Sequence, residues 1–168
     1  TFIIIGVGLM YMMTGTLNMY DLAERLPEVH NSRTVLSAIG FFIVGVCLKL
    51  ALFPLHLWLP NAYAFAPSIA TAFLAATSTK VAVYVLIRFI FSVVGPEFAN
   101  TVLPLQEIFV VLGITGIFAT SISAIYQLNI KRLFAYSSVA QIGYMILALA
   151  IGTPLGLTAT LLHLFNHA

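Results

Sequence analysis

The sequence predicts an all-α protein, a polytopic bundle of membrane-spanning helices with one broken helix. Hydrophobic residues make up 61% of the 168 residues and charged residues only 7%, whereas soluble domains have about 50% and 25%. The apolar residues form runs long enough to cross about 30 Å of hydrocarbon as helices. Two prolines, Pro54 and Pro60, interrupt one of these runs, and proline in an apolar helix predicts a break.

The same composition excludes several classes of protein. Intrinsic disorder, a secreted disulfide scaffold and a nucleic-acid-binding domain all require a more polar or cysteine-rich chain. The net charge is only +2, and Cys47 is the single cysteine. The chain begins at Thr1 and stops at Ala168 inside apolar runs. We therefore expect residues 1–168 to be one transmembrane domain fragment of a longer protein, with its first and last helices truncated.

Six apolar segments are predicted, each bounded by polar residues, proline or glycine, which cap or end helices. A polar connector at residues 21–33 follows the first segment and has the amphipathic pattern of an interfacial helix. Three of the segments begin at or next to a proline, which is favoured at the first helical position. The predicted segments are residues 2–19, 34–53, 67–95, 104–127, 133–151 and 153–168.

The second segment is expected to end at Phe53, because Pro54 removes an amide donor and clashes with the preceding turn. Residues 54–60 remain apolar, which predicts a short second half-helix or a re-entrant stretch. Irregular backbone at membrane depth is tolerated only where it faces protein or a water-filled cavity. The break near residues 54–60 therefore marks a candidate functional region.

Two lysines lie inside predicted membrane spans, where burying a lysine costs free energy. Lys49 is deep in the second segment, and Lys80 is near the middle of the third. Lys80 follows Pro67 by thirteen residues and precedes Gly95 by fifteen, about 20 Å from either end at 1.5 Å per residue. A lysine at the bilayer centre costs about 2.5–3.5 kcal/mol on insertion scales, so both lysines need a physical reason.

Two explanations are open for these lysines. A structural role would pair each one with a buried carboxylate, but the middle of each predicted span contains no Asp or Glu. In a proton relay, a lysine that has lost its water gives up its proton more readily and exchanges protons near neutral pH. Thr77, Ser78 and Thr79 precede Lys80 and either bond its ammonium group or satisfy their own helix backbone.

His163 and His167 are four residues apart and share one helix face. Three roles are open: a proton or water path, a hydrogen bond between helices, and a metal site, which is the weakest because no Cys, Asp or Glu accompanies the pair. His56 follows the proline break and either bonds free carbonyl groups there or extends the path. The sequence has no nucleophile set, phosphate loop or CxxC pair, so we predict no cofactor, metal or redox chemistry in this chain.

Further polar residues lie on the fifth segment. Ser137, Ser138, Gln141 and Tyr144 form a stripe that favours hydrogen bonding between helices over transport. Lys131 and Arg132 precede the segment and are expected to anchor its end among lipid head groups.

Five motifs in a fixed order resemble those of one family. They are KLALFPLHLWLPNA at 49–62, APS at 66–68, STKVAVY at 78–84 with Arg88-Phe89, NIKRLFAYSSVAQIGY at 129–144 and HLFNHA at 163–168. Together they resemble the antiporter-like transmembrane subunits shared by respiratory complex I and by Mrp-type sodium/proton antiporters. The segments around Trp58 and Lys80 are most similar to the D-type subunit of the Mrp antiporters. Asn61 departs from the family pattern, which commonly has Asp at this position.

The resemblance implies an antiporter-like fold in which this chain is part of a larger core of inverted repeats, each with one broken helix. It implies that Lys49 on the broken helix, Lys80 on the next helix and the histidines lie on a central hydrophilic axis. The hypothesis is therefore a proton-translocating subunit of a multisubunit monovalent cation/proton antiporter, with the path through Lys49, Lys80, His163, His167 and His56.

Two alternative functions remain open. One is a proton-pumping subunit of a NADH:quinone oxidoreductase or membrane-bound hydrogenase complex, and the other is a scaffold that transports nothing. The expected partners are other membrane subunits, lipid and protons, with Na⁺ as a further candidate and no nucleic acid. The expected location is the bacterial inner membrane.

Overall fold

The computed structural model describes residues 1–101 and 103–167, and in this part of the chain it contains nine α-helices and no strand. The all-α prediction is therefore confirmed. A π-helical segment, Phe89–Val94, continues the fifth helix. The helices are α1 Phe2–Thr14, α2 Met19–Val29, α3 Arg33–Leu50, α4 Trp58–Phe65, α5 Ser68–Arg88, α6 Pro96–Thr101, α7 Leu105–Ile125, α8 Ile130–Ala150 and α9 Pro154–His167.

Four of the described helices are long and apolar enough to cross a membrane: α3, α5 with its π-helical continuation, α7 and α8. The pair α1 and α2 also passes this test as one bent span, with an angle of 67° between the two helices. The polytopic membrane bundle predicted from the sequence is therefore confirmed. The described residues divide into two compact units, one of 1–47 with 82–104 and the other of 48–81 with the residues from 105 onward.

In the first unit, the bend between α1 and α2 has a local cause. Gly15 adopts a left-handed conformation with φ of 70° and ends α1, and the side chain of Asn18 accepts a hydrogen bond from the backbone N–H of Tyr20 at the start of α2. Glycine has no Cβ and adopts this conformation readily. The first helix thus ends at Thr14 instead of the predicted Met19.

The amphipathic connector predicted at residues 21–33 contains most of helix α2. Its apolar face buries Leu22 and Leu26, and the helix packs against the π-helical segment. The same segment stacks Phe89 on Phe42 of α3, with the ring centroids 4.0 Å apart. The π-helical segment ends at Val94, directly before Gly95, which has a φ of 83°. The third span therefore ends near Gly95, as predicted from the sequence.

In the second unit, the break in the apolar run begins earlier than predicted. Helix α3 ends at Leu50 instead of Phe53, and Ala51 has a positive φ of 60°. The carbonyl group of Leu50 would be the helical partner of residue 54, which is a proline without an N–H. The residue before a proline also disfavours the helical region. Pro54 therefore acts four residues upstream of its own position.

The second half of the broken helix is α4, and it includes Pro60 in its first turn instead of ending there. Proline is tolerated at this place because the first N–H groups of a helix have no partner within the helix. Helix α4 packs against α8, where Leu59 and Tyr63 form a buried apolar cluster with Ala135 and Val139. This cluster fixes the half-helix in the second unit.

Helices α7 and α8 pack closely because glycines face each other. A Cβ atom on Gly143 would lie 3.0 Å from the carbonyl oxygen of Gly113 and 2.9 Å from a side-chain carbon of Ile117. Helix α8 begins at Ile130, ahead of the predicted start at Leu133, because the side chain of Asn129 accepts a hydrogen bond from the N–H of Lys131.

Helix α9 packs on α8 and begins at Pro154, next to the predicted start at Thr153. The predicted end of this segment at Ala168 lies outside the described residues.

We predict that Gly143→Ala destabilises the protein by about 1–3 kcal/mol, the usual cost of an added group in a packed interior. The new methyl group meets a backbone carbonyl, which cannot rotate away as a side chain does. Gly8→Ala is the matched control, because no atom beyond its own helix backbone lies within 4 Å of its new Cβ. Thermal unfolding of the purified full-length protein in detergent measures both, and equal midpoints would contradict the predicted packing.

Candidate functional site

Lys80 lies in the middle of the longest span and is buried, with 8% of its surface exposed. Its ammonium group donates a hydrogen bond of 2.6 Å to the backbone carbonyl oxygen of Ala75 in the same helix. Thr79 beside it is also buried. The hydroxyl of Thr77 donates to the carbonyl oxygen of Phe73 in its own helix. Bonding to its own helix backbone is one of the two roles that the sequence left open for Thr77.

Helix α9 presents its two histidines on one face, as the spacing predicted. The ring centroids of His163 and His167 are 6.4 Å apart and the rings are nearly parallel, at 11°. The Nε2–H of His163 donates to Oε1 of Gln141 on α8, at 2.7 Å. The ring of Tyr144 approaches His163 at 6.2 Å. The polar stripe predicted on the fifth segment thus bonds to the histidine helix through Gln141.

His167 lies within electrostatic range of both Lys80 and His163. Its Nδ1 atom is buried and has no partner at hydrogen-bond distance among the described residues. We call Lys80, His167, His163 and Gln141 the polar track. Its members come from three helices and lie inside apolar segments, where each polar group otherwise faces hydrocarbon.

The structure places Lys49 differently from Lys80. Lys49 is in the last turn of α3, directly before the break, and its side chain is exposed on this chain. The preceding carbonyl group, of Leu48, accepts a hydrogen bond of 2.9 Å from the indole N–H of Trp58. Trp58 therefore joins the two halves of the broken helix, a role that the sequence did not reveal because a spacing of ten residues has no helical or turn signature.

His56 lies within the break and is buried, with 5% of its surface exposed. Its ring stacks on Phe53 at 5.3 Å and meets the ring of Tyr136 on α8 at 6.0 Å. Its Nδ1 atom has no hydrogen-bond partner in the part of the chain that the structure describes. A buried nitrogen of this kind is available to a water molecule or to a proton donor. No sequence signal pointed to Tyr136, because it is distant in the chain and lies on another helix.

The described residues contain no group of three or more His, Cys, Asp or Glu side chains that could hold a metal ion. The titratable groups of the polar track are one lysine and two histidines. Lysine and histidine side chains both titrate, and histidine has two ring nitrogens that can receive and release a proton on opposite sides.

Lys131 and Arg132 contact α4, and their anchoring among lipid head groups stays a prediction. The ammonium group of Lys131 donates to the carbonyl oxygen of Ala66, at 3.0 Å, and the guanidinium of Arg132 donates to Oδ1 of Asn61, at 3.1 Å. Arg132 also lies over the ring of Phe65, 5.9 Å from its centroid. Cations at a helix C-terminus bond the last carbonyl groups and favour its dipole. The basic pair therefore holds the second half of the broken helix.

Comparison with known proteins identifies the family of this chain. The sequence model of the family described as NADH:quinone oxidoreductase/Mrp antiporter, transmembrane region, matches residues 1–168. The chain belongs to this family. The resemblance found in the motifs is thereby confirmed, and with it the assignment to an integral membrane, antiporter-like subunit family.

The relatives in this NADH:quinone oxidoreductase/Mrp antiporter family come from both branches. The chain is 46% identical over 167 residues to NADH-quinone oxidoreductase subunit N of Desulforudis audaxviator, covering 99% of the chain and 33% of that protein. It is 32% identical over 167 residues to the D subunit of the Na⁺/H⁺ antiporter of Alkalihalophilus pseudofirmus, covering 98% and 32%. The chain thus spans about a third of the length of these relatives.

Two solved structures of respiratory and antiporter complexes share the fold. One is the membrane-bound sulfane sulfur reductase, an archaeal respiratory membrane complex, with a TM-score of 0.85 and 34% identity, covering 99% of this chain and 33% of the other. The second is the Mrp complex from Dietzia sp. DQ12-45-1b, with a TM-score of 0.86 and 28% identity, covering 99% and 30%. The antiporter-like fold class predicted from the sequence is confirmed.

The bond between Arg132 and Asn61 gives a stability prediction. Asn61→Asp is expected to make the bond charge-assisted and to stabilise the protein by up to about 1 kcal/mol, the upper range for exposed ion pairs. The same substitution in an Arg132→Gln background is expected to give no gain. Thermal unfolding of the four proteins of this cycle measures the coupling, and an equal gain in both backgrounds would show that Arg132 is not the partner.

Proposed function

We propose that this chain is part of a proton-translocating membrane subunit, in which the polar track carries protons through the middle of the membrane. The observation that carries the proposal is that Lys80, buried in the middle of a membrane span, lies within electrostatic range of His167, which stacks with His163 on another helix. Ionisable residues within membrane spans are costly and typically line ion or proton pathways. The polar track is therefore better explained by transport than by packing alone.

Protons pass along such a track by short steps. The rings of the two histidines stack with their centroids 6.4 Å apart, and the proposal places a bridging water between them. His163 holds a proton on Nε2, where Gln141 accepts the bond, and its Nδ1 is left to receive another. The unpartnered Nδ1 of His167, in the described part of the chain, is the acceptor on the side of Lys80, whose ammonium group is the proton store.

Lys49 and His56 extend the path at the broken helix in this proposal. The buried Nδ1 of His56, without a partner among the described residues, lies within the break, and irregular backbone at membrane depth is tolerated where it is buried in protein or lines a water-filled cavity. Lys49 is exposed on this chain, and a lysine at membrane depth requires a counter-charge from outside these residues. We therefore place Lys49 where the path passes to other parts of the assembled protein.

The driving force for transport has two candidates, each favoured by a relative. The 46% identity to NADH-quinone oxidoreductase subunit N favours proton pumping driven by electron transfer in partner subunits. The 32% identity to the D subunit of a Na⁺/H⁺ antiporter supports the cation/proton antiport that the motifs first suggested. In both, the partners are other membrane subunits, and the bacterial relatives fit a location in the bacterial inner membrane.

Lys80→Ala is expected to reduce coupled proton transport at least tenfold and to leave assembly of the complex unchanged, because the proton store is lost while the helix keeps its apolar surface. Arg88→Ala is the matched control: it removes a cation from the same helix at an exposed position in the last turn. A pH-gradient dye in inverted vesicles measures transport. Normal transport by Lys80→Ala would refute the polar track and favour a scaffold role.

The same vesicles separate the two driving forces. We expect a proton gradient when reduced nicotinamide is added, because the identity to subunit N is the higher of the two. A gradient that forms or collapses on addition of sodium, without any electron donor, would instead make the protein a cation/proton antiporter subunit. Lys80→Ala must abolish whichever response the wild type gives.

A further inference from the structure

The first unit contains a pocket of about 470 Å³ beside helix α2. One wall is α2 with the residue that follows it, and it includes Leu26 and His30. The other wall is the π-helical segment with the start of α6, and it includes Ser92, Glu97 and Phe98. We call this space the α2 pocket. Its volume is in the range of roughly 300–1,000 Å³ that small-molecule sites have.

The α2 pocket lies at the end of a membrane span. The span that contains α5 ends at Val94, and both Val94 and Gly95 line the pocket. Helix α2 is amphipathic, with Leu26 buried and Glu24 and Glu28 exposed, and such helices lie in the plane of the membrane interface. We therefore expect the pocket at the level of the lipid head groups.

The polar groups of the α2 pocket include two hydrogen-bond acceptors. Glu97 contributes a carboxylate. The Nδ1 of His30 is hydrogen-bonded to the carbonyl oxygen of Pro27, and because a carbonyl group only accepts, Nδ1 carries the hydrogen. The Nε2 of the neutral ring is then an acceptor. These two groups favour a ligand that carries positive charge and donates N–H bonds, and the hydroxyl of Ser92 can also donate.

Much of the remaining lining is apolar and includes two aromatic rings. The buried side chains of Leu26 and Val93 form part of the lining. Phe91 lines the pocket, and the ring of Phe98 meets the ring of His30 edge-on, with the centroids 5.2 Å apart. Aromatic rings attract cations, and aliphatic side chains suit hydrocarbon. The lining therefore fits a ligand that joins an ammonium group to an apolar part.

We propose that the α2 pocket binds the primary ammonium head group of a phospholipid, phosphatidylethanolamine. Glu97 and the Nε2 of His30 accept N–H bonds from the ammonium group, and Ser92 donates to the lipid phosphate. A phosphatidylcholine head group carries the same charge but has no N–H to donate, so the pocket distinguishes the two lipids. A bound head group contacts both walls and thereby holds α2 on the π-helical segment, against which it packs.

Lipid binding to the purified full-length complex tests this assignment. The delipidated complex in detergent is titrated with phosphatidylethanolamine or with phosphatidylcholine of the same acyl chains, and native mass spectrometry measures the bound lipid. We expect a site that binds phosphatidylethanolamine about tenfold more tightly, the equivalent of one hydrogen bond to a charged group. Glu97→Gln is expected to abolish this preference, because it removes the charge and keeps the shape.

Glu24→Gln is the matched control, because it removes an exposed carboxylate of α2 that does not line the pocket, and it should keep the preference. If Glu97→Gln does not fold, Ala23→Trp takes its place, since it fills the pocket from α2 and is expected to lose the bound lipid.

Equal affinities of the wild type for the two lipids would overturn the proposal, and so would a preference that Glu97→Gln or Ala23→Trp retains. Free ethanolamine that displaces the lipid at an equal concentration would overturn the lipid as the ligand, because the acyl chains would then add nothing to binding. Lipid binding is measured without transport, so its failure is distinct from a failure of the proposed function.

Discussion

A charged side chain inside hydrocarbon must find its polar partners within the protein, and Lys80 imposes this constraint on the second unit. All five carboxylates of the sequence lie at positions 21, 24, 28, 97 and 107, outside the middle of the spans. The ammonium group of Lys80 is therefore held by the carbonyl oxygen of Ala75 and lies within electrostatic reach of His167. In the proposed function, this ammonium group stores the proton that moves along the polar track.

The backbone of the broken helix is under the same constraint, because its polar groups also need partners within the protein. A helix that ends at membrane depth exposes carbonyl groups that water cannot satisfy. Trp58 donates to the carbonyl group of Leu48 on the first side of the break, and Lys131 donates to that of Ala66 at the far end of α4. Side chains that resemble membrane anchors in the sequence are thus the partners that make the break possible.

Close packing of α7 on α8 connects these features. The glycines at 113 and 143 bring the two helices together, and the same helix α8 contributes the basic pair to α4, Tyr136 to His56 and Gln141 to His163. The half-helix, the break and the histidine pair therefore share one support. In the proposed function, the polar track passes protons along this part of the second unit.

The sequence by itself determined the fold class, the approximate positions of the spans and the break near Pro54, because apolar run length and proline chemistry are local properties. It also singled out Lys80 and the histidine pair, since titratable groups are conspicuous in apolar segments and a spacing of four places two residues on one helix face. Only the tertiary structure decided which residues meet: the bond between Gln141 and His163 and the burial of Lys80 but not Lys49 depend on how separate helices pack. Residue spacing along one helix carries no information about the partner helix, which is the physical reason why the sequence left these contacts open.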